Sequence, residues 1–190
     1  VEKDNYDILK LLLEQKGIEI GLEDFKGCKN LISLSIPSNI EQISEGSFAN
    51  CISLIKVNLP SSMKKIGAFS FNHCSSLTEI VLPTSLTEIG DGIFNECISL
   101  KKIVIPSSVT KIRNHSFYKC MLLDKIVIPS SVQDIGQYAF SECSALQEVL
   151  FENPSSLVSI GLFAFGACTS LKSINIPSSV KKIGRNAFDQ

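Results

Sequence analysis

The chain has 190 residues, a formal net charge of −1, 44% apolar residues and no tryptophan, so it can fill a continuous core and projects no strong field of either sign. That balance speaks against nucleic acid or an anionic membrane surface as a partner. No basic segment followed by an apolar stretch opens the chain, and no apolar run approaches the roughly 18 to 20 residues of a membrane span.

Residues 1–19 lie mostly outside the pattern that fills the rest of the chain. Asp4 or Asn5 can cap a helix carrying Ile8, Leu9, Leu11, Leu12 and Leu13, with Gly17 ending it. Two readings stay open for this segment: a capping helix for the rest of the chain, or the remnant of an upstream domain.

From residue 20 to 190 one period governs the sequence. Cys28, Cys51, Cys74, Cys97, Cys120 and Cys143 stand 23 residues apart, and Cys168 comes after 25. Phe25, Phe48, Phe71, Phe94, Phe117, Phe140, Phe165 and Phe188 keep the same beat, as do Pro37, Pro60, Pro83, Pro106, Pro129, Pro154 and Pro177. Fixed-period self-similarity of this length predicts a solenoid of about seven coils. The two extra residues, Glu152 and Asn153, lengthen one turn and leave the register intact.

Taken from the Cys, the unit reads C-x-x-L-x-x-I-x-I-P-S-S-V-x-x-I-G-x-x-A-F-x-x. Leu-x-x-Ile-x-Ile predicts a short strand with its last two apolar side chains on one side and the Leu entering the same interior from the preceding bend. Pro then ends the strand, since it lacks an N–H and has a fixed φ. The Ser-Ser pair can satisfy turn backbone groups, and Val-x-x-Ile-Gly returns along the opposite wall, the Gly permitting a bend that a β-carbon would oppose. Ala-Phe-x-x-Cys is expected as a tight helical or 3₁₀ turn with Phe and Cys inward. Coils stacked about 4.8 Å apart would share one core and make a body roughly 35 Å long.

Leu31-Ile32-Ser33-Leu34-Ser35-Ile36-Pro37-Ser38-Asn39 matches the general leucine-rich repeat signature, and I-P-S-S-V-x-x-I-G-x-x-A-F-x-x-C closely resembles the BspA-like, or Treponema-type, class of that family. The resemblance covers residues 20–190. It implies a right-handed leucine-rich repeat superhelix, no cofactor, and protein binding, often in surface or adhesive proteins of host-associated bacteria and protozoan parasites. One departure is Ser at 62, 85, 108, 131, 156 and 179 where the general signature has Asn, which puts an Asn ladder in doubt here. Asp7-Ile8-Leu9-Lys10-Leu11-Leu12-Leu13-Glu14 faintly resembles the second helix of an ankyrin repeat, which favours the upstream-domain reading of the N-terminus. The chain stops at Gln190, one residue before the next expected Cys, which reads as a piece of a longer repeat protein with an end that could associate with another copy.

Chemistry is sparse. The odd Cys count and its periodicity fit core packing, since parallel side chains one coil apart are poorly aimed for a disulfide. Zinc needs four convergent ligands, and only His73 and His115 accompany the Cys row. Neither His belongs to a nucleophile–base motif, there is no phosphate-binding Gly loop, and the chain is expected not to be an enzyme. Asn114-His115-Ser116 forms a glycosylation sequon, a triplet that also arises by chance.

The candidate site is therefore a surface. The outward residue of I-x-I runs Ser35, Asn58, Val81, Val104, Val127, Leu150, Asn175, an apolar stripe with polar ends. Beside it run Lys56, Glu79, Lys102, Lys125 and Glu148, with Lys101 and Asp124 outside them. An apolar strip rimmed by charge resembles a protein-recognition surface, although β-branched residues are favoured on strands wherever they point. A second patch comprises Phe69, Tyr138 and Phe163, which can equally serve to cover the coil edge. Three functions stay open: a ligand-binding or adhesive module of a surface or secreted protein contacting host or self proteins, an intracellular interaction scaffold behind ankyrin repeats, or a spacer without a partner.

Overall fold

The computed structural model describes residues 25–190; the expected N-terminal helix and the ankyrin-like segment lie outside them. Among the described residues there is no helix, and the chain winds as a parallel β-solenoid whose turns begin at successive Cys residues. The first coil contributes β1 (Ser33–Ser35) and β2 (Gln42–Ile43), the second β3 (Lys56–Asn58) and β4 (Lys65–Ile66), the third β5 (Glu79–Val81) and β6 (Glu88–Ile89). The fourth gives β7 (Lys102–Val104) and β8 (Lys111–Ile112), the fifth β9 (Lys125–Ile128) and β10 (Asp134–Ile135). The sixth gives β11 (Glu148–Phe151) and β12 (Ser159–Ile160), and the seventh β13 (Lys182–Ile183). Odd-numbered strands up to β11 build a front wall, in sheets β1-β3-β5-β7 and β9-β11. The remaining strands build a return wall, in sheets β2-β4 and β6-β8-β10-β12-β13.

Period-two alternation sets what faces inward. In β7 the pattern is exposed, buried, exposed, so Ile103 packs inside while Lys102 and Val104 point out, and Ile105 turns in again beyond the strand. Pairing partners lie one repeat apart, as in Ile80↔Ile103, and across the insertion Ile135 still pairs with Ile160, so Glu152 and Asn153 are absorbed in the turn. In that turn the Asn153–Pro154 bond is cis and the Pro C=O to Val N–H bond of other coils, such as Val109 N–H to Pro106 O at 3.0 Å, gives way to Leu157 N–H donating to Ser155 Oγ at 3.2 Å.

The Phe row forms one column through the core. Rings from Phe25 to Phe188 stack with centroids 5.0 to 6.0 Å apart. Such offset stacks add to the apolar area that each Phe buries. Beside it runs the Cys row, free and, except for Cys28, buried. Each buried thiol donates to a Phe carbonyl of the preceding coil: Cys97 Sγ to Phe71 O at 3.1 Å, Cys143 Sγ to Phe117 O at 3.1 Å, and likewise for Cys51, Cys74, Cys120 and Cys168. The residue is thus a small apolar filler that also carries a donor.

The Ala-Phe-x-x-Cys segment turns with Phe and Cys inward as expected, but it is neither the helical nor the 3₁₀ turn expected there. The residues two before and two after each core Phe from Phe48 to Phe165 have positive φ, for example His115 at 55° and Lys119 at 56° around Phe117. These left-handed residues interrupt any helix, and the N–H groups of His115, Phe117 and Lys119 reach across to Gln137, Ala139 and Ser141 of the next coil. The corner is therefore a third inter-coil ladder. Where Ser replaces the inward Ala, its hydroxyl is satisfied locally: Ser116 Oγ donates to Arg113 O at 2.6 Å and to Gly90 O at 3.1 Å.

One further expectation is corrected in its physical reason. The Gly of Val-x-x-Ile-Gly is not needed for a special φ; a β-carbon at Gly136 would lie 2.6 Å from the Arg113 carbonyl carbon, and at Gly161 2.5 Å from that of Gly136. Close backbone stacking, not bending, selects Gly there. In the middle coils the Ser that stands in for Asn bonds one coil back, Ser108 Oγ donating to Leu86 O at 2.6 Å and Ser131 Oγ to Val109 O at 2.6 Å, whereas Ser179 Oγ in the last coil is buried without a partner among the described residues.

Candidate functional site

The front wall carries the expected stripe on its outer side. Strand alternation turns Val81, Val104, Val127 and Leu150 out of the sheet; Val81 is 81% and Val104 80% exposed, against 40% for both Val127 and Leu150. Val81 and Val104 are paired neighbours, as are Val127 and Leu150. The polar ends are tied to each other where Asn58 Nδ2 donates to Ser35 Oγ at 3.0 Å.

The charged column lies on the same side, two residues earlier in each strand. Lys56 pairs in register with Glu79, Glu79 with Lys102, and Lys125 with Glu148. Lys125 Nζ lies 2.6 Å from Glu148 Oε2, both about half exposed. An exposed pair of this kind contributes little to stability, on the order of 0 to 1 kcal/mol. Sequence alone gives this column as a rim; the structure adds that the ladder pairing of the front wall lapses between β7 and β9, which stay adjacent. A groove of about 480 Å³ lies there, lined by Lys102, Val104, Asp124, Lys125, Val127 and Glu148, with Ile103 and Gln147. Met121 and Leu122 stay exposed in the bend that leads into β9.

In the second patch Phe69 is exposed, while Tyr138 and Phe163 are half-buried and stacked. His115 stacks on Tyr138 at 5.0 Å and Tyr138 on Phe163 at 5.3 Å, so the rings cover one another along the corner. Phe69 lies over Gly92, whose β-carbon would sit 2.2 Å from the ring. The neighbouring column is a charge ladder: His73 Nδ1 is 3.1 Å from Glu96 Oε2, Lys119 Nζ is 3.9 Å from Glu96 Oε1, and Tyr118 Oη donates to Glu142 Oε1 at 2.5 Å. Glu142, with smaller help from Tyr118, holds the Lys119 ammonium above its ordinary pKa. Both histidines are thus engaged with neighbouring coils.

The sequon Asn114 is exposed and accepts the Gln137 N–H through Oδ1 at 2.9 Å. Burial pushes the thiols of Cys51 and Cys168 up to about 12 and raises those of the buried Cys between them, the opposite of what a nucleophile or metal ligand needs. Among the described residues no group of three or more His, Cys, Asp or Glu converges as a metal site, and no helix is long and apolar enough to cross a membrane.

Comparison with known proteins places the chain in a family. The family model of the BspA type leucine rich repeat region matches in 6 copies over residues 4–123 and 110–190. A leucine-rich repeat protein of T. pallidum is similar in structure, with a TM-score of 0.74 and 31% identity over 82% of this chain and 72% of that one. One from Eubacterium ventriosum gives a TM-score of 0.72 and 25% identity over 86% of this chain, and this chain spans 44% of its length. A leucine rich cell surface protein of Faecalibacterium prausnitzii gives a TM-score of 0.53 and 29% identity over 88% of this chain, which spans 53% of it. The sequence matches no curated protein. With the repeat model spanning nearly the whole sequence and the coils stacked as described, the chain belongs to the BspA-type leucine-rich repeat family.

Proposed function

We propose that this chain is a non-catalytic protein-binding module that contacts host or self proteins through its front wall, as part of a surface or secreted adhesin-like repeat protein. The observation that carries the reading is the separation of roles along each strand: Ile80, Ile103, Ile126 and Val149 are buried between the walls, while Val81, Val104, Val127 and Leu150 take no part in the core. Monomeric proteins seldom expose contiguous apolar strips without use. Surface location is supported by the likeness to the F. prausnitzii cell surface protein. No cofactor, nucleic acid or membrane span enters this reading.

The test is an affinity pull-down from host and self lysates with the wild type and a Val104→Lys/Val127→Glu variant. Captured partners should be lost with the variant while its thermal unfolding stays nearly unchanged. Retained capture removes the front wall from consideration. A second reading, an intracellular scaffold, is favoured by seven free thiols in a fold with no disulfide among its described residues. A signal peptide upstream in the full-length protein would favour the first reading, and an ankyrin array the second.

A further inference from the structure

The corner of an earlier coil is in place ahead of Cys28. Phe25 stacks on Phe48 with ring centroids 5.3 Å apart, and the N–H groups of Phe25 and Gly27 donate to Ser47 O at 3.2 Å and Ala49 O at 2.7 Å. The next corner makes the same bonds, from Phe48 to Ser70 O at 2.9 Å and from Asn50 to Asn72 O at 2.8 Å, and Gly27 shares the positive φ of Asn50. The two ends of the described stack also differ. Leu34, Ile36, Ile40 and Ile43 of the first coil are at most 6% exposed. Of their counterparts in the seventh, Ile176 is 39% and Ile183 51% exposed, and Ile174 and Val180 are half-buried. Each coil buries one side on each neighbour, so a first coil as buried as an interior one is covered on its far side as well.

Residues 1–24 hold the sequence for such a cover. Counting back 23 residues from the inward Leu31, Leu34, Ile36 and Ile43 lands on Ile8, Leu11, Leu13 and Ile20, and Gly21 follows Ile20 as in the Ile-Gly step of the repeat. Asn5, Glu14 and Gly17 fall on the Cys, Pro and Val positions, so the Cys and Pro beats are silent here while Phe25 keeps the third. The family model matches from residue 4 onward. In the second coil the wall N–H groups donate one coil back, Ile55 to Ile32 O at 2.8 Å, Lys64 to Glu41 O at 2.7 Å and Gly67 to Ile43 O at 2.8 Å. Ile32, Glu41 and Ser44 hold the same places in the first coil.

We propose that residues 5–24 occupy this face as one more coil in the register of the rest. Ile8, Leu11, Leu13 and Ile20 pack over the first coil, and the carbonyls of Leu9, Ile18 and Ile20 accept from the N–H groups of Ile32, Glu41 and Ser44. Strand alternation turns Lys10 and Leu12 outward. The front wall gains a strand in which Lys10 heads the charged column. Leu9 comes beside Ile32 and Ile55, which are 61% and 46% exposed, and completes an apolar surface row of three. A helix over the same residues would group Leu12 with Ile8 or with Leu9, whereas the coil parts Leu12 from Leu11 and Leu13.

The test is native-state amide hydrogen exchange on the full chain at several protein concentrations. The amides of Ile32, Glu41 and Ser44 should exchange within about tenfold of those of Ile55, Lys64 and Gly67, at a rate independent of concentration. Leu13→Asp should speed exchange at the first three by at least about tenfold, while Leu12→Asp leaves them within about twofold. Unchanged exchange at Phe117 and Phe140 shows that the remaining coils stay folded, and Leu13→Ala against Leu12→Ala should give the same order at smaller size. Open-edge exchange at Ile32, Glu41 and Ser44 in the wild type overturns the inference, as does protection that survives Leu13→Asp. Leu12→Asp acting as strongly as Leu13→Asp overturns it in favour of a helical cap. Protection that grows with concentration overturns it in favour of a second copy on this face.

Discussion

Alkali should unfold this solenoid through its thiols. Six cysteines, Cys51, Cys74, Cys97, Cys120, Cys143 and Cys168, are buried, and desolvation raises each thiol pKa, to about 12 for Cys51 and Cys168. In the unfolded chain a thiol ionises near about 8.5. A group whose folded pKa is raised contributes its stability in full below the unfolded pKa and loses it as pH rises toward the folded value. Each thiol therefore withdraws about 1 kcal/mol once the pH reaches about 9 to 9.5. Together the six withdraw roughly 5 to 8 kcal/mol, against a usual total stability of about 5 to 15 kcal/mol. Far-ultraviolet circular dichroism, read together with thiolate absorbance, should show a steep loss of structure between about pH 9 and 10, with the thiolates appearing in the same transition. Replacing all six by Ala should move that transition upward to where Lys and Tyr titrate, near about pH 10 and above. A wild-type transition that coincides with that of the six-fold variant, or thiolates that form while the spectrum stays native, would refute the reasoning.

Phe117→Ala, which removes a fully buried ring stacked on Phe94 and Phe140, should cost about 3 to 5 kcal/mol in urea unfolding, more than the same change at the half-buried Phe188. Gly136→Ala should destabilise by more than about 1 kcal/mol because its β-carbon would meet the Arg113 backbone at 2.6 Å, while Gly90→Ala, whose nearest neighbour is the flexible tip of Ile93 at 3.3 Å, should stay below that. Equal melting-temperature shifts for the two would show that close stacking is not what selects Gly. Ser108→Ala should cost about 1 kcal/mol by removing the bond to Leu86 O, read by chemical denaturation.

Periodicity makes the walls and the core legible, because a residue type that recurs every coil must meet its own copies. The Phe and Cys columns are direct consequences, and Ile135 facing Ile160 shows why two inserted residues do not disturb them. The corner is less legible. Left-handed backbone at both flanks of the core Phe is announced by Gly27, Gly46, Gly92 and Asn50, but Phe69, Lys119, Tyr138 and Glu142 occupy the same slots without any strong local preference for positive φ. There the inter-coil ladder imposes the conformation on whatever residue stands in place. The role of Gly136 and Gly161 is hidden for a related reason: their constraint comes from a backbone one coil away, and local reading sees only the bend. In the candidate site, the apolar stripe and its charged neighbours can be placed from strand alternation alone. The groove cannot, because it depends on which side chains face each other across coils.

That dependence also bears on how binding can diversify in a stack of this kind. Each coil contacts only its neighbours, so its inward residues are tied to the coils above and below. The outward positions of β7 and β9 carry no such tie, yet a change there still alters the step between two coils. Lys102 and Lys125 illustrate this: neither belongs to the core, but their like charge coincides with the loss of pairing between β7 and β9, while β8 and β10 remain joined behind them. Ile103 and Ile126 stay buried behind these outward residues, so a surface exchange at this step leaves the core as it is. The charge order along the front wall can therefore vary from coil to coil independently of the residues that hold the coils together.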